Sequence, residues 1–172
     1  MKTVIVVMGV CGAGKSTVGE ALARRLGAKF VDSDSLHPQA NVNKMAAGSP
    51  LTDEDRWPWL ELVGAELAAT HPDGIIVACS ALKRAYRDAI RAKASATIFV
   101  QLDVELSLLL NRLNQRPGHF MPPSLLDSQL ETLQPLEADE VGIRVSTSEG
   151  IDFTVDQIVP HLEDVHEVSQ YR

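Results

Sequence analysis

Residues 9–16 read Gly9-Val10-Cys11-Gly12-Ala13-Gly14-Lys15-Ser16 and directly follow the apolar run 3–8. This stretch fits G-x-x-x-x-G-K-[ST], the pattern of a loop that cradles the phosphates of a nucleotide. Its glycines let successive backbone N–H groups turn toward one anion, and the following helix adds the unpaired amides of its N-terminus. A glycine-rich turn can also join a strand to a helix for steric reasons alone. Here a strand-like run precedes the loop and an amphipathic helical stretch follows it, which favours nucleotide binding.

Within this motif, the residues predicted to bind the nucleotide are those of the loop and of the first turn of the helix: Gly12, Ala13, Gly14, Lys15, Ser16 and Thr17. Lys15 supplies a flexible positive charge for the β- and γ-phosphates. The hydroxyl of Ser16 supplies a hard oxygen ligand for Mg²⁺. We therefore expect a nucleoside triphosphate and Mg²⁺ as cofactors.

The composition indicates an ordinary globular protein. A chain of 172 residues suits one domain with a sizeable core, and a net charge of −7 argues against general nucleic-acid binding. Two cysteines, Cys11 and Cys79, show no metal-ligand spacing and indicate a reducing compartment. The N-terminal apolar run ends in the phosphate loop rather than forming a signal peptide, and no later run is long enough to span a membrane. We expect a soluble, cytoplasmic protein that binds neither nucleic acid nor membrane.

Strand and helix signals alternate along the whole chain. The predicted strands, mostly continuous apolar runs, are 4–8, 29–31, 75–79, 97–102 and 142–145. The predicted helices are 15–26, 38–47, 53–70, 83–93, 104–115, 124–133 and 153–164. Apolar strands separated by helices indicate a parallel sheet that is covered on both faces. The pattern predicts one doubly wound α/β domain over residues 1–172, with a five-stranded parallel sheet and two helical insertions.

Two carboxylates, Asp32 and Asp34, follow the second predicted strand. In an open parallel sheet, ligands bind at the carboxyl ends of the strands, which is where the phosphate loop also lies. A helix N-cap would explain one of these residues but not both. Our hypothesis is that Asp34 accepts the proton of an attacking substrate hydroxyl, while Asp32 holds the hydration shell of Mg²⁺. The third strand ends in Cys79-Ser80 and offers no carboxylate for that second role.

Several further blocks of sequence resemble the signature blocks of one known family. They are Leu36-His37-Pro38, Asn41–Met45, Gly48–Leu60, Cys79–Asp88 and Arg116–Phe120. Together with the phosphate loop they resemble the gluconate kinases (gluconokinases), in family order from Gly9 to about Glu140, which is about four fifths of the chain. The match thins after Glu140, so the residues that shape the adenine pocket there stay open.

The resemblance implies phosphoryl transfer from ATP to the 6-hydroxyl of D-gluconate. It also implies a P-loop kinase fold similar to that of shikimate and nucleoside-monophosphate kinases, and a homodimer. A helical substrate-binding insert would cover about 35–70 and a mobile lid about 116–134. Two alternatives are a related small-metabolite kinase, such as a shikimate kinase, and a catalytically silent nucleotide-binding regulatory protein. The long 36–60 block argues against the first alternative, and the joint presence of Lys15, Asp34 and Arg116 argues against the second.

Gluconate carries one carboxylate and a row of hydroxyls, so its site needs cationic and hydrogen-bonding side chains. The predicted substrate-binding residues are Asp34, His37, Lys44, Arg56, Ser80, Lys83, Arg87 and His119. The planar fork of Arg56 matches two carboxylate oxygens, although Arg56 could instead pair with its acidic neighbours Asp53 and Asp55. Lys83 and Arg87 share one helix face, where like charges repel unless an anion lies between them. Lys44 and the two histidines have structural interpretations as well.

Arg112 and Arg116 lie one helical turn apart in the helix that leads to the predicted lid. Two arginines at a helix C-terminus also favour the helix dipole, which alone could account for them. The resemblance implies that Arg112 stacks on adenine and that Arg116 contacts the transferring phosphoryl group, where an arginine stabilises the transition-state charge. The predicted catalytic residues are therefore Lys15, Asp34 and Arg116.

Overall fold

The computed structural model describes the backbone of residues 3–115 and 123–169 and the side chains of residues 3–115 and 124–165. Within these ranges, one sheet contains five parallel strands: β1 (Val4–Met8), β2 (Lys29–Asp32), β3 (Ile75–Ala78), β4 (Ile98–Asp103) and β5 (Gly142–Ser146). The strand order is β2-β3-β1-β4-β5. The predicted five-stranded parallel sheet is confirmed, and the strand that leads into the phosphate loop lies at its centre.

The helices that alternate with these strands are α1 (Lys15–Leu26), α2 (Gln39–Ala46), α3 (Asp53–Ala68), α4 (Arg84–Lys93), α5 (Leu106–Asn114), α6 (Pro123–Thr132) and α7 (Ile151–Ser169). A 3-10 turn at Ser33–Leu36 joins β2 to α2. Among the helices in the described ranges, none combines the length and apolar character that crossing a membrane requires.

The central strand β1 sends alternate side chains into two separate apolar cores. Ile5 and Val7 pack with residues of α1 and α7 on one face of the sheet. Val6 and Met8 pack with residues of α3 and α4 on the other face. Because successive side chains of a strand point to opposite faces, a strand covered on both sides must be apolar at every position. This arrangement explains the unbroken apolar run of the sequence.

The phosphate loop turns directly from β1 into α1. Gly12 has φ +81° and Gly14, which precedes the first residue of α1, has φ +92°. A residue with a Cβ atom is strained in this left-handed region, so glycine is required at both turns. The loop and the N-terminus of α1 therefore lie at the carboxyl end of the sheet, beside the ends of β2, β3 and β4.

Helix α3, the main helix of the predicted substrate-binding insert, is fixed to the sheet at its start and along one side. Thr52 and Asp55 form a capping box, in which each side chain accepts a hydrogen bond from the backbone N–H of the other. Trp59, Leu60 and Val63 are buried in the same core as Val77 of β3. Helix α3 is therefore held against this face of the sheet by the core.

Candidate active site

The ammonium of Lys15 lies inside its own loop. Its Nζ donates a 3.0 Å hydrogen bond to the backbone carbonyl of Val10. Loss of hydration on burial lowers the pKa of Lys15, and the neighbouring acidic groups, Asp32 and Asp34 among them, oppose this shift. The charge of Lys15 is thus directed into the concavity that the loop forms.

Asp32 joins β2 to the start of α1 through both of its carboxylate oxygens. Oδ2 accepts a 2.8 Å hydrogen bond from the hydroxyl of Ser16, and Oδ1 accepts a 3.0 Å bond from the backbone N–H of Asp34. The second bond caps the 3-10 turn. The carboxylate and hydroxyl together make a hard-oxygen pair beside the phosphate loop, which fits a Mg²⁺ ion that keeps most of its ligands as water and phosphate. In the described ranges, no three or more His, Cys, Asp or Glu side chains lie close enough together to bind a metal ion as a group.

Asp34 lies on the 3-10 turn at the edge of the site. Partial desolvation and the neighbouring charge of Asp32 raise the pKa of Asp34, while His37 and Lys15 pull it down. A carboxylate with a raised pKa is a stronger base than an ordinary aspartate. The turn therefore carries the Asp34 carboxyl next to the two residues that would hold Mg²⁺.

His37 is fixed by stacking and by one hydrogen bond. Its ring stacks on Trp59, with centroids 4.2 Å apart and an interplanar angle of 15°. The amide nitrogen of Asn41 lies 3.3 Å from Nδ1 of His37 and donates to the backbone carbonyl of Asp55 at 2.9 Å. Desolvation lowers the pKa of His37, so the neutral ring is favoured. With Nδ1 accepting from Asn41, the ring proton belongs on Nε2, which makes Nε2 a hydrogen-bond donor.

Arg56 and Lys83 meet at one carboxylate, that of Asp53. Lys83 Nζ lies 2.9 Å from Oδ2 of Asp53, and Arg56 Nη1 lies 3.6 Å from Oδ1. The hydroxyl of Tyr86 also donates to Asp53 and accepts from Arg56. The structure thus brings together two of the predicted substrate-binding cations, which the sequence had not paired with one another. It also realises part of the alternative for Arg56, because Asp53 is one of the two acidic neighbours considered.

Asp55, the second acidic neighbour, pairs with Lys44 instead of Arg56. Lys44 Nζ lies 2.6 Å from Oδ2 of Asp55. The same oxygen accepts the backbone N–H of Thr52 in the capping box of α3. Hydrogen bonds from Lys44 and Thr52 lower the pKa of Asp55 to about 2. The ion pair ties α2 to α3 and gives Lys44 a structural role.

The prediction that Arg87 binds the substrate is not supported by the structure. Its side chain is fully buried at 0% exposure and pairs with Glu140 through two hydrogen bonds of 2.7 and 2.8 Å. Its guanidinium also donates to backbone carbonyls on either side, including those of Ala81 and Gln134. The like charges of Lys83 and Arg87 are separated because each has its own protein carboxylate, so no bound anion is needed between them.

A cavity of about 330 Å³ lies against the phosphate loop. Its wall comes from the loop, α1, α5 and the segment after β5: Gly12, Ala13, Gly14, Thr17, Val18, Arg112, Gln115, Thr147, Gly150, Ile151 and Thr154. Arg112 Nη1 donates to the carbonyl of Ala13 at 3.2 Å. The Oγ1 of Thr147 is buried and has no hydrogen-bond partner among the described residues. A bound nucleotide could supply the missing partner. The position beside the loop fits the nucleoside of a bound nucleotide.

The four residues of this wall that follow β5, from Thr147 to Thr154, were not identified from the sequence. The rule that ligands bind at the carboxyl ends of parallel strands would have indicated them, because Thr147 directly follows the last residue of β5. Ser80, at the end of β3, was identified. Its backbone carbonyl accepts a 3.4 Å hydrogen bond from the N–H of Gly9, so it lies next to the loop.

The predicted residues that the structure gathers at this edge of the sheet are Lys15, Ser16, Thr17, Asp32, Asp34, His37, Ser80 and Arg112. Arg56 and Lys83 form a second group around Asp53. Arg116 and His119 lie outside the described residues, so their roles stay predictions.

Comparisons with known proteins agree with this geometry. The family model described as "Shikimate kinase" matches residues 11–147. A gluconokinase of Gluconobacter oxydans (strain 621H) is 47% identical over 163 residues, covering 92% of this chain and 90% of that protein. The thermosensitive gluconokinase of Escherichia coli (strain K12) is 45% identical, with coverages of 80% and 75%.

Solved structures distinguish the family from its fold neighbours. The crystal structure of a gluconokinase from Sinorhizobium meliloti 1021 has a TM-score of 0.88 and 44% identity, covering 98% of this chain and 96% of that one. A shikimate kinase from Aquifex aeolicus vf5 has a TM-score of 0.61 at 20% identity and coverages of 93% and 96%, which shows a shared fold alone. The identity to proteins named gluconokinase, over most of both chains, shows that this chain belongs to the gluconokinase family of P-loop kinases.

Proposed function

We propose that this chain transfers the γ-phosphoryl group of ATP to the 6-hydroxyl of D-gluconate, giving 6-phospho-D-gluconate and ADP. Membership of the gluconokinase family supports the substrate. The observation that carries the mechanism is the position of Asp34, a carboxylate with a raised pKa, whose backbone N–H bonds the Asp32 of the Ser16–Asp32 pair beside the phosphate loop. A protein that only bound nucleotides would have no use for a base at this point.

The nucleotide half of the site follows from the loop and the cavity. The nucleoside would lie in the cavity between Arg112 and the Thr147–Thr154 segment, and the phosphates would lie on the loop N–H groups and Lys15. Ser16 and Asp32 would hold Mg²⁺, which supplies neutralisation of the phosphate charge when bound. The amides and Lys15 then orient the γ-phosphoryl group for in-line attack.

The acceptor half centres on Asp34. Its carboxylate would accept the proton of the 6-hydroxyl as that oxygen attacks the γ-phosphorus, a contribution of roughly 10²–10⁴ in rate. His37 would orient a substrate hydroxyl through the donor at Nε2. Its stacking on Trp59 and its bond from Asn41 fix the ring in advance, so little entropy is lost on binding.

The carboxylate of gluconate would bind to Arg56 and Lys83. The pairing of both cations with Asp53 supports this proposal, because it would hold them in place before the substrate carboxylate binds. Ser80 and His119 stay in the proposed set of substrate contacts. Lys44 is kept in the set only because its ion pair with Asp55 ties α2 to α3. Arg87 is removed from the set because it is buried.

Further parts of the proposal concern organisation. The chain would act as a single domain over residues 1–172, with a substrate-binding insert at about 35–70 and a lid at about 116–134 that carries Arg116 onto the transferring group. The family resemblance also supports a homodimer in the cytoplasm. Sedimentation analysis of the purified protein tests the dimer, because a monomer at all concentrations would contradict it.

The test of the function is a coupled ATP-consumption assay with D-gluconate, shikimate, glucose, glycerate and AMP, each with and without Mg²⁺. We expect turnover with gluconate alone, and only with Mg²⁺ present. Turnover with shikimate would move the chain to the related-kinase alternative. If nucleotide binding were intact and no acceptor gave turnover, the silent regulatory alternative would hold.

A further inference from the structure

A side chain of α6 contacts the phosphate loop. The backbone N–H of Cys11, the third residue of the loop, donates a 2.6 Å hydrogen bond to Oε1 of Gln129. An N–H group can bond only to an acceptor, so this contact fixes which end of the Gln129 amide faces the loop. Both groups are partly buried, and 118 residues of sequence separate them. The bond therefore joins two distant segments at the nucleotide site.

The other outer polar groups of the loop are also held by side chains. Arg112 Nη1 of α5 donates to the carbonyls of Gly12 and Ala13 at 3.4 and 3.2 Å. Lys15 of α1 donates to the carbonyl of Val10. Side chains from three helices thus hold the carbonyls of Val10, Gly12 and Ala13 and the N–H of Cys11, and Gln129 supplies the contact to the N–H group.

This contact matters because the loop binds phosphate through its backbone. A cradle of N–H groups is effective when its peptide planes are oriented before the ligand arrives. The Cys11 N–H is directed to Gln129 and immediately precedes the glycines at which the chain turns to positive φ. Fixing this peptide limits the rotation of the peptides that follow it, so the orientation of the cradle depends on Gln129.

We propose that Gln129 is a positioning residue for nucleotide binding, which acts by holding the Cys11 peptide of the phosphate loop. This inference rests only on the nucleotide-binding part of the proposed function. It assigns to α6, which lies within the predicted lid at about 116–134, a role at the phosphate loop that the phosphate-loop motif does not contain.

The test compares Gln129→Met with Ser128→Ala. Methionine keeps the length and helix propensity of glutamine but replaces the amide oxygen with a sulfur that accepts hydrogen bonds only weakly. Ser128 is the exposed neighbour on α6 and serves as the matched control. We expect the dissociation constants of Mg-ADP and of a non-hydrolysable ATP analogue to rise roughly 3- to 10-fold in Gln129→Met, the value of one hydrogen bond. Ser128→Ala should bind both like the parent chain.

A second measurement follows the bond itself. Amide hydrogen exchange at Cys11 should accelerate in Gln129→Met and stay at the parent rate in Ser128→Ala, while the melting temperatures of all three proteins agree. Unchanged nucleotide affinity with faster Cys11 exchange would overturn the proposal, and so would tighter binding, which would mean that Oε1 competes with a phosphate oxygen. An equal loss in both variants would show a general effect of disturbing α6. Because binding is measured without gluconate, the result is independent of the acceptor assay.

Discussion

The hydroxyl of Ser16 donates to Oδ2 of Asp32 over 2.8 Å, which joins the first turn of α1 to the end of β2. The other oxygen of Asp32 is held by the N–H of Asp34, so the orientation of this carboxylate is fixed from both sides. A fixed carboxylate next to a hydroxyl is the arrangement that orients a Mg²⁺ ion and its water ligands. The first prediction concerns this pair.

Asp32→Asn should raise the Mg²⁺ concentration for half-maximal gluconate-dependent turnover by about 10- to 100-fold, the usual cost of losing an outer-shell carboxylate. In asparagine the single side-chain oxygen can still accept the N–H of Asp34 while the NH2 group donates to the hydroxyl of Ser16, so both contacts can persist while the charge is lost. A Mg²⁺ titration at fixed ATP measures the change. Asp73→Asn, an exposed substitution in the turn before β3, is the control and should leave the titration curve in place. Coincident curves for both variants would refute the role of Asp32.

Asp34→Asn should lower kcat by roughly 10²- to 10⁴-fold, since an amide cannot accept the hydroxyl proton. The dissociation constant of the ATP analogue should change little, because Asp34 faces the acceptor side of the site. Steady-state kinetics and calorimetric binding measure the two quantities separately. Full turnover in this variant would exclude Asp34 as the base.

The raised pKa of Asp34 gives this base a pH signature. The carboxylate must be ionised to accept a proton, so kcat/KM should rise with pH through the raised pKa and level off above it.

The effect of the raised pKa of Asp34 on stability has the opposite sign, because a carboxyl with a raised pKa favours the folded state only while it is protonated. Asp34→Asn should therefore unfold at a higher temperature than the parent at pH 7. The difference should vanish as the pH falls toward about 3.9, the ordinary pKa of aspartate. A parent chain more stable than the variant at pH 7 would contradict this sign.

Arg56→Met should raise KM for gluconate by about 10- to 100-fold, the range for a lost hydrogen bond between charged groups. KM for ATP should stay near its parent value, because Arg56 pairs with Asp53 on the substrate side. Arg24→Met, an exposed arginine in the last turn of α1, removes the same charge elsewhere. If both variants changed KM for gluconate equally, the effect would be one of net charge, and Arg56 would have no specific contact.

Arg87→Met should lower the free energy of unfolding by about 3–5 kcal/mol, because it leaves the buried carboxylate of Glu140 without its main partner. Burial alone would raise the pKa of Glu140, but hydrogen bonds from Arg87, Glu137 and Arg91 outweigh it and hold the pKa to about 2. The stabilisation is therefore present at neutral pH and is lost as the pH falls toward 2. This loss should be smaller in Arg87→Met, where only Arg91 and the N–H of Glu137 still bond Glu140. Urea unfolding measures both effects. Arg84→Met, on the exposed side of the same helix, should show a clearly smaller loss at neutral pH.

The sequence predicted the elements that hydrophobic pattern and loop chemistry determine. The apolar run of β1 and the helix after the phosphate loop were predicted with their observed bounds, since each has a sharp boundary in the glycine-rich turn. The 3-10 turn at Ser33–Leu36 was missed. This turn is stabilised by the Asp32 side chain, which accepts the backbone N–H of Asp34. Such a local hydrogen bond leaves no periodic pattern of apolar residues, which is the signal that predicts helices and strands.

The role of Arg87 could not be predicted because its partner is distant in sequence. Glu140 lies 53 residues further along the chain, after α6, and no local spacing connects the two. Helical spacing predicted that Lys83 and Arg87 share one helix face, but Lys83 is the N-cap of α4 with extended backbone, and the two side chains pair with different carboxylates. In the sequence, Lys83 and Arg87 therefore looked alike, although Lys83 reaches Asp53 near the cleft and Arg87 is buried against Glu140.

Burial removes Lys15 from solvent, and the carbonyl of Val10 is the hydrogen-bond partner of its ammonium. An exposed lysine loses its hydration shell when it binds a ligand, at a cost in binding free energy. For Lys15 this desolvation cost is part of the free energy of folding instead. A phosphate that replaces the carbonyl as the partner of Lys15 favours the charged ammonium, whose pKa burial has lowered. Nucleotide binding and protonation of Lys15 are thereby linked, so the complex takes up protons at alkaline pH and its affinity declines as the solution becomes more basic.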